Sequence, residues 1–229
     1  MFTPFRQKTA LLVILTISLL GMSSLESVAQ ETPAMLFKET WQQSESAQGR
    51  PTSPHASPNQ YYLAGQSAVT NPGLELNLYG FKSNDITVYV HEGRTDLWTG
   101  LAGSPVAITL KFRNGYMDLS GLARVRAIVR TNNLHQLHPV IKLPDGSMAV
   151  GSQSIDTHGA FLTVEVAFDN QDWYALDPVE VVVGNAIAEP DMSLIDEVGF
   201  VNLSSGGGHG NAGWSNVSHF EVYANSVAR

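Results

Sequence analysis

Asp196-Glu197-Val198-Gly199-Phe200-Val201-Asn202-Leu203, then Ser204-Ser205-Gly206-Gly207-Gly208-His209-Gly210-Asn211-Ala212-Gly213-Trp214-Ser215, then Val217-Ser218-His219-Phe220-Glu221-Val222-Tyr223 is the stretch that decides the fold. It reads as a half-buried strand, a loop and a closing strand. Five glycines surround one His and one Trp in that loop, and glycine loses the most backbone freedom on ordering. Such a loop is kept for unusual backbone angles or for close approach.

Period-two alternation continues upstream. Leu74, Leu76 and Leu78 alternate with polar neighbours, as do Ile86, Val88 and Val90. Val106 to Phe112 and Leu162 to Phe168 repeat the pattern. Alternation with β-branched residues between Gly, Asn, Asp and Pro marks antiparallel strands with one face in a core. Pro144-Asp145-Gly146 is a hairpin turn and Asn114-Gly115 another turn candidate. No sustained 3.6-residue period follows residue 29. The expectation is an all-β fold, a two-sheet antiparallel β-sandwich of jelly-roll type.

An internal echo supports paired end structures. Asp118-Leu119-Ser120 leads into a strand centred on Val125, and Asp191-Met192-Ser193 into one centred on Val198. In each, an Asp or Ser side chain is placed to bond nearby backbone N–H groups before the strand begins.

Residues 1–29 read as a secretory signal peptide. Arg6 and Lys8 form the basic start, Ala10 to Leu20 the apolar run and Ser27-Val28-Ala29 the small-residue cleavage pattern. The run is short of the roughly 20 residues that span a bilayer. Cleavage leaves 11 basic and 20 acidic residues, a charge of −9. That balance argues against nucleic acid and against insertion in anionic membranes. The chain has no cysteine, which suits an exported periplasmic or extracellular protein held by its core alone. The expected organisation is one sandwich domain over 30–224, with a long irregular loop at 42–71 and a tail at 225–229. Pro51, Pro54 and Pro58 punctuate that loop.

Asp191 to Phe200, His209-Gly210, Gly213-Trp214-Ser215 and Phe220-Glu221-Val222-Tyr223 resemble the tail of a group of secreted bacterial proteins without an assigned activity. Leu36 to Trp41, Leu97 to Gly100 and Gln136 to Gly146 extend the resemblance. More loosely, the Asp-Leu-Ser strands and the Glu-Val-Tyr ending resemble galactose-binding-like jelly rolls, many of which are carbohydrate-binding modules. Those modules often carry an Asp near the last strand, close to a structural calcium. Ser218 stands there in this chain, so calcium has no support, and no other cofactor is indicated.

The function expected is non-catalytic binding, of a polysaccharide or other glycan. Sugar binding needs aromatic faces beside a few polar groups. Trp98 and Trp214 are placed in loop-like contexts, and Trp173-Tyr174 follows the polar turn 169–172. Those four, with His209, Glu92 and Asp96, are the candidate ligand contacts. Each Trp is equally readable as a cap on the core, and His209 as a brace for its loop. The alternatives are a secreted glycoside hydrolase or polysaccharide lyase using Glu92, Asp96 or Glu197, and a structural or partner-binding envelope protein. No catalytic motif is present: there is no Gly-x-Ser-x-Gly elbow and no thiol. The glycine run lacks the Gly-Lys-Ser/Thr of a phosphate loop. His135 and His138, three apart on a strand, would face opposite ways and not share a metal. Arg124, Arg126 and Arg130 share a strand face, suited to an acidic saccharide or to the chain's own carboxylates.

Overall fold

A computed structural model describes residues 31–44, 61–91, 93–132, 134–169, 171–206 and 213–229. The signal segment, most of the 42–71 stretch, Glu92 and His209 lie outside the described residues.

Strands dominate, as the alternation predicts. The first sheet is built from β1 (Met35–Glu39), β2 (Tyr61–Leu63), β4 (Thr87–His91), β5 (Arg94–Trp98), β8 (Arg124–Asn132), β11 (Leu162–Ala167) and β15 (Trp214–Tyr223). Its order is β11-β8-β15-β5-β4-β2. Strand β15 lies along all of β8 on one side; its other side is shared end to end, Asn216 and Val217 meeting β5 and residues 220–223 meeting β1. The second sheet runs β13-β12-β10-β9-β14-β6-β3. It comprises β3 (Leu74–Tyr79), β6 (Val106–Phe112), β9 (Leu137–Lys142), β10 (Met148–Gly151), β12 (Trp173–Leu176), β13 (Val183–Ile187) and β14 (Glu197–Asn202). Every pairing is antiparallel, and the two sheets form a jelly-roll sandwich.

Between the sheets lies the main core. Val125, Ala127 and Val129 of β8 and Val217, Phe220 and Val222 of β15 face Ile108, Leu110, Val198 and Phe200 of the other sheet. Phe200 and Phe220 meet edge to face at 5.5 Å.

Strand β14 is buried at every position, not half-buried as its sequence suggests. The outer face of its sheet carries a second apolar layer, in which Val140, Met148, Val150 and Val201 pack with Val181. A polar network sits beside it. Glu197, itself buried, accepts from Tyr79 Oη at 2.8 Å and Lys142 Nζ at 3.0 Å, and Thr109 Oγ1 donates to it as well.

The sequence echo is structural. Asp118 Oδ1 accepts from Ser120 N at 3.0 Å, and Asp191 Oδ1 accepts from Ser193 N at 3.0 Å. The two turns are bonded to each other, Leu119 N to Met192 O at 2.7 Å and Met117 N to Ile195 O at 2.9 Å. At the hairpin, Gly146 takes φ +90°, Leu143 N donates to Ser147 O, and Lys142 pairs with Met148.

Two expectations change. The stretch 42–71 is not all loop: Tyr61–Leu63 pairs with β4, and Tyr61 is buried. Residues 225–229 hold β16 (Asn225–Val227), which pairs with β7 (Tyr116–Asp118), and Arg229 bonds Asp196 at 2.7 Å.

Candidate functional site

The outer face of the first sheet is set by register. Tyr61 pairs with Tyr89, Tyr89 with Asp96, Trp98 with Asn216, and Asn216 with Arg130. Directly opposed residues point to the same side of a sheet, so these side chains form two neighbouring rows across five strands. Phe161, just before β11, continues the second row. All of these except Asp96, together with Arg94 and Trp214, line a pocket of about 220 Å³.

Its aromatic wall is a cluster of three. Tyr61 stacks on Tyr89 with centroids 5.0 Å apart, Trp98 lies 5.0 Å from Tyr61, and Tyr89 and Trp98 are 6.3 Å apart. Trp98 and Trp214 are not on loops. Trp98 ends β5 and Trp214 begins β15, and both are buried. The Trp98 ring lies where a Cβ on residue 100 would be, so Gly100 makes room for it.

The opposite wall is cationic. Arg94 Cζ sits 3.6 Å from the Phe161 ring centroid, and Arg130 Cζ lies 5.4 Å from Phe161 and 4.4 Å from Trp214. Arg130 Nε donates to Gly159 O at 2.8 Å. The segment bearing Gly159 and Phe161 is fastened to β8 through Thr131: Thr131 N donates to Thr157 Oγ1 and Thr157 N to Thr131 Oγ1, each at 2.8 Å, and Gly159 N donates to Thr131 O at 2.7 Å.

Asp96 lies at the base. Its side chain is 2% exposed, accepts from Asn216 Nδ2 at 2.5 Å and stands 3.8 Å from Arg94 Nε. Burial pushes its carboxyl up to about 7, against the opposing pull of Asn216, Arg94 and Arg130. Arg130 is lowered, chiefly by burial and then by the like charge of Arg94.

The structure therefore unites Trp98, Trp214 and Asp96 of the residues singled out from sequence. Glu92 and His209 lie outside the described residues, and Trp173, Tyr174 and Glu197 lie elsewhere. Trp173 is 2% exposed and packs in the main core, because it alternates inward on β12. Tyr174, its neighbour, lies on the outer face of the second sheet beside a separate hollow with His138 and Val183. Glu197 is held by the Tyr79–Thr109–Lys142 network and faces no pocket of the first sheet. Arg130, read from sequence as one of three arginines on a strand face, also lines the pocket; the missed members are Tyr61, Tyr89, Arg94, Phe161 and Asn216. Cross-strand register unites them, and the one local signal is the Tyr-Tyr-Leu triplet at 61–63.

The described ends of the glycine loop show what glycine is for there. A Cβ on Gly206 would meet Thr99 O at 2.6 Å, and one on Gly213 would meet the His135 ring at 1.7 Å. The close approach is internal. Asn202 Nδ2 lies 2.9 Å from His135 Nδ1 and 3.1 Å from Thr99 Oγ1, which also receives Ser215 N at 3.1 Å. His135 is held below its ordinary range, mainly by burial. A polar hollow next to the pocket, also about 220 Å³, is lined by Lys38, Arg126, Thr163, His219 and Glu221. Among the described residues no three His, Asp or Glu side chains converge to hold a metal ion, and no helix is long and apolar enough to cross a membrane.

No protein-family model and no curated protein matches the chain. Among solved structures it is similar to PfGH50B, with a TM-score of 0.42 and 13% identity over 68% of this chain and 23% of that one. It is similar to an exo-beta-agarase, with a TM-score of 0.39 and 10% identity over 74% of this chain and 26% of that one. It is also similar to a family 11 carbohydrate-binding module from Clostridium thermocellum in complex with a beta-1,3-1,4-mixed-linked tetrasaccharide, with a TM-score of 0.37 and 11% identity over 84% of this chain and 98% of that one. The chain thus spans about a quarter of the first two proteins. At this level of similarity the site is read from its own side chains.

Proposed function

We propose that this is an exported carbohydrate-binding protein that holds its ligand, without cleaving it, in the pocket on the outer face of the first sheet. The observation that carries the reading is the pocket's division of labour. Tyr61, Tyr89 and Trp98 form an aromatic wall, while Arg94, Arg130 and Asn216 supply hydrogen-bonding groups a few ångströms away. A pyranose has that dual surface, with C–H faces that suit aromatic rings and a rim of hydroxyls that suit fixed donors and acceptors. Rings locked in a strand register lose little freedom on binding. Export rests on the signal-like residues 1–29 and the absence of cysteine.

Retention in affinity gels containing soluble polysaccharides tests this. Wild type should be slowed by at least one polysaccharide, and Phe161→Ala and Tyr89→Ala, both at half-exposed positions, should abolish the slowing while keeping the fold. A wild-type protein that migrates unretarded through a broad panel would sink the reading.

A hydrolase reading has one observation in its favour: Asp96 stays protonated close to neutral pH, as a general acid would. Glycosidases need a second carboxylate across the cleft, and among the described lining residues there is none. Reducing-end release that disappears in Asp96→Asn would favour the hydrolase.

A further inference from the structure

We propose that the sugar this pocket takes is an acidic one, bound through a carboxylate or sulfate oxyanion between Arg94 and Arg130. The inference rests on the carbohydrate-binding reading and narrows it to a substrate class.

Two guanidinium groups converge on one ring, Arg94 at 3.6 Å and Arg130 at 5.4 Å from the Phe161 centroid. They share one carboxylate, Asp96, which stands 3.8 Å from Arg94 Nε. Arg130 makes one hydrogen bond among the described residues, from Nε to the Gly159 carbonyl. That contact fixes the guanidinium plane and leaves both terminal amino groups for a ligand. Arg94 Nε is buried and makes no hydrogen bond, its approach to Asp96 being 3.8 Å. No carboxylate lines the pocket among the described residues. Asp96 is shared with Asn216 and lies beneath the arginines. The pocket therefore holds an excess of positive charge, and two fork-shaped donors suit a planar or tetrahedral oxyanion.

Charge on the wider face points the same way. By register, the first sheet's outer face carries Lys38, Arg94, Arg124, Arg126 and Arg130 against Asp96, Glu165 and Glu221. Lys38 pairs with Glu221 at 3.2 Å and Arg124 with Glu165 at 3.7 Å, so the surplus falls on the arginines of and beside the pocket. The whole chain has a charge of −8. A locally positive face on an acidic protein attracts anions to that face and repels them elsewhere. A neutral glycan would leave the arginine pair uncompensated. A positively charged ligand would be opposed by it.

Titration calorimetry on the whole protein decides the matter with four probes: polygalacturonate, the same polymer after carboxyl reduction, a sulfated galactan, and its desulfated form. An acidic probe should bind at least tenfold more tightly than its neutral counterpart, with the uronate and sulfate pairs telling the two oxyanions apart. Arg130→Gln should weaken the acidic probe about tenfold and leave the neutral one unchanged. Arg126→Gln, outside the pocket, should change both little, which separates the arginine pair from diffuse charge. Equal binding of acidic and neutral forms would overturn the inference and leave the carbohydrate reading standing. Binding of no polysaccharide at all would overturn both. Should Arg130→Gln unfold, Arg94→Gln, at a side chain 38% exposed, gives the same test.

Discussion

Asp96 concentrates the electrostatics of the pocket in one side chain. Its carboxyl is pushed to about 7 in the folded protein from an ordinary 3.8. A raised value means that the folded state holds the proton more strongly than the unfolded chain. The stability this gives is complete below about 3.8 and is lost as pH rises through about 7. Asn cannot ionise, so Asp96→Asn should be more stable than wild type at pH 8 by about 2–4 kcal/mol, and the difference should vanish near pH 4. Urea unfolding at the two pH values checks this, and a difference independent of pH would refute it. Binding follows the same proton. Ionised Asp96 competes with an anionic ligand for Arg94 and Arg130, so calorimetric affinity for an acidic oligosaccharide should fall as pH rises from 6 to 8. Asp96→Asn should flatten that profile. The groups facing Asp96 are Arg94, Arg130, Asn216, Tyr61 and Tyr89; burial pushes Tyr61 well above its ordinary range. His219, in the neighbouring hollow, is held below its ordinary value by burial. Asp96 was visible in the sequence as a carboxylate two residues before a Trp. Its meeting with Tyr61 and with Arg130, which the sequence offered only as part of an arginine row, was not, because both come from strands distant in the chain.

Two element-scale devices hold the pocket's surroundings. Glu39 ends β1 fully buried, and its Oε1 accepts from Thr40 N, Trp41 N, Thr70 N and Thr70 Oγ1 at 2.7–3.0 Å, while Oε2 accepts from Asn71 N at 3.0 Å. One carboxylate thus ties the exit of β1 to residues 70–71. Glu39→Gln replaces an acceptor-only group by one with N–H donors that face other donors. It should cost about 2–4 kcal/mol by chemical denaturation; a loss under 0.5 kcal/mol would show the network to be dispensable. Thr131 acts similarly at the other wall. Thr131→Val removes the hydroxyl that receives Thr157 N and should loosen Gly159 and Phe161. Glycan affinity should fall severalfold with little change in melting temperature, and an unchanged affinity would argue against the anchoring role. Local chemistry made some elements readable. Pro144-Asp145-Gly146 carries its turn on its face, and the Asp-x-Ser echo predicted two turns with the same hydrogen bonds. Strand β2 was hidden because three residues are too short for a period, and they sit inside a polar, proline-marked run. β14 was misjudged as half-buried because Glu197 and Asn202 look like solvent-facing positions, yet Glu197 is buried in the Tyr79–Thr109–Lys142 network and Asn202, on the other face, among His135, Thr99 and Ser215.

At the scale of the molecule, the two outer faces have opposite characters. The second sheet's is apolar, covered in part by its own chain through Val181 and opening in the hollow beside Tyr174, whereas the first sheet's carries the arginine-lined pocket and the adjoining polar hollow. Strand count and alternation made the sandwich legible; which face would be open depends on the order of strands, and that is a non-local property. Strand β15 dominates that order, since it joins β8, β5 and β1. Deleting residues 214–223 should therefore leave no cooperative melting transition, and a truncated chain that still melted sharply would contradict this. The consequence is kinetic. The first sheet acquires its central strand from residues 214–223, and β1, far earlier in the chain, finds its partner only then. Contacts so distant along the chain are slow to form. Until β15 is in place, the aromatic strands β2, β4 and β5, which pair with one another, have nothing to join them to β8 and its arginines.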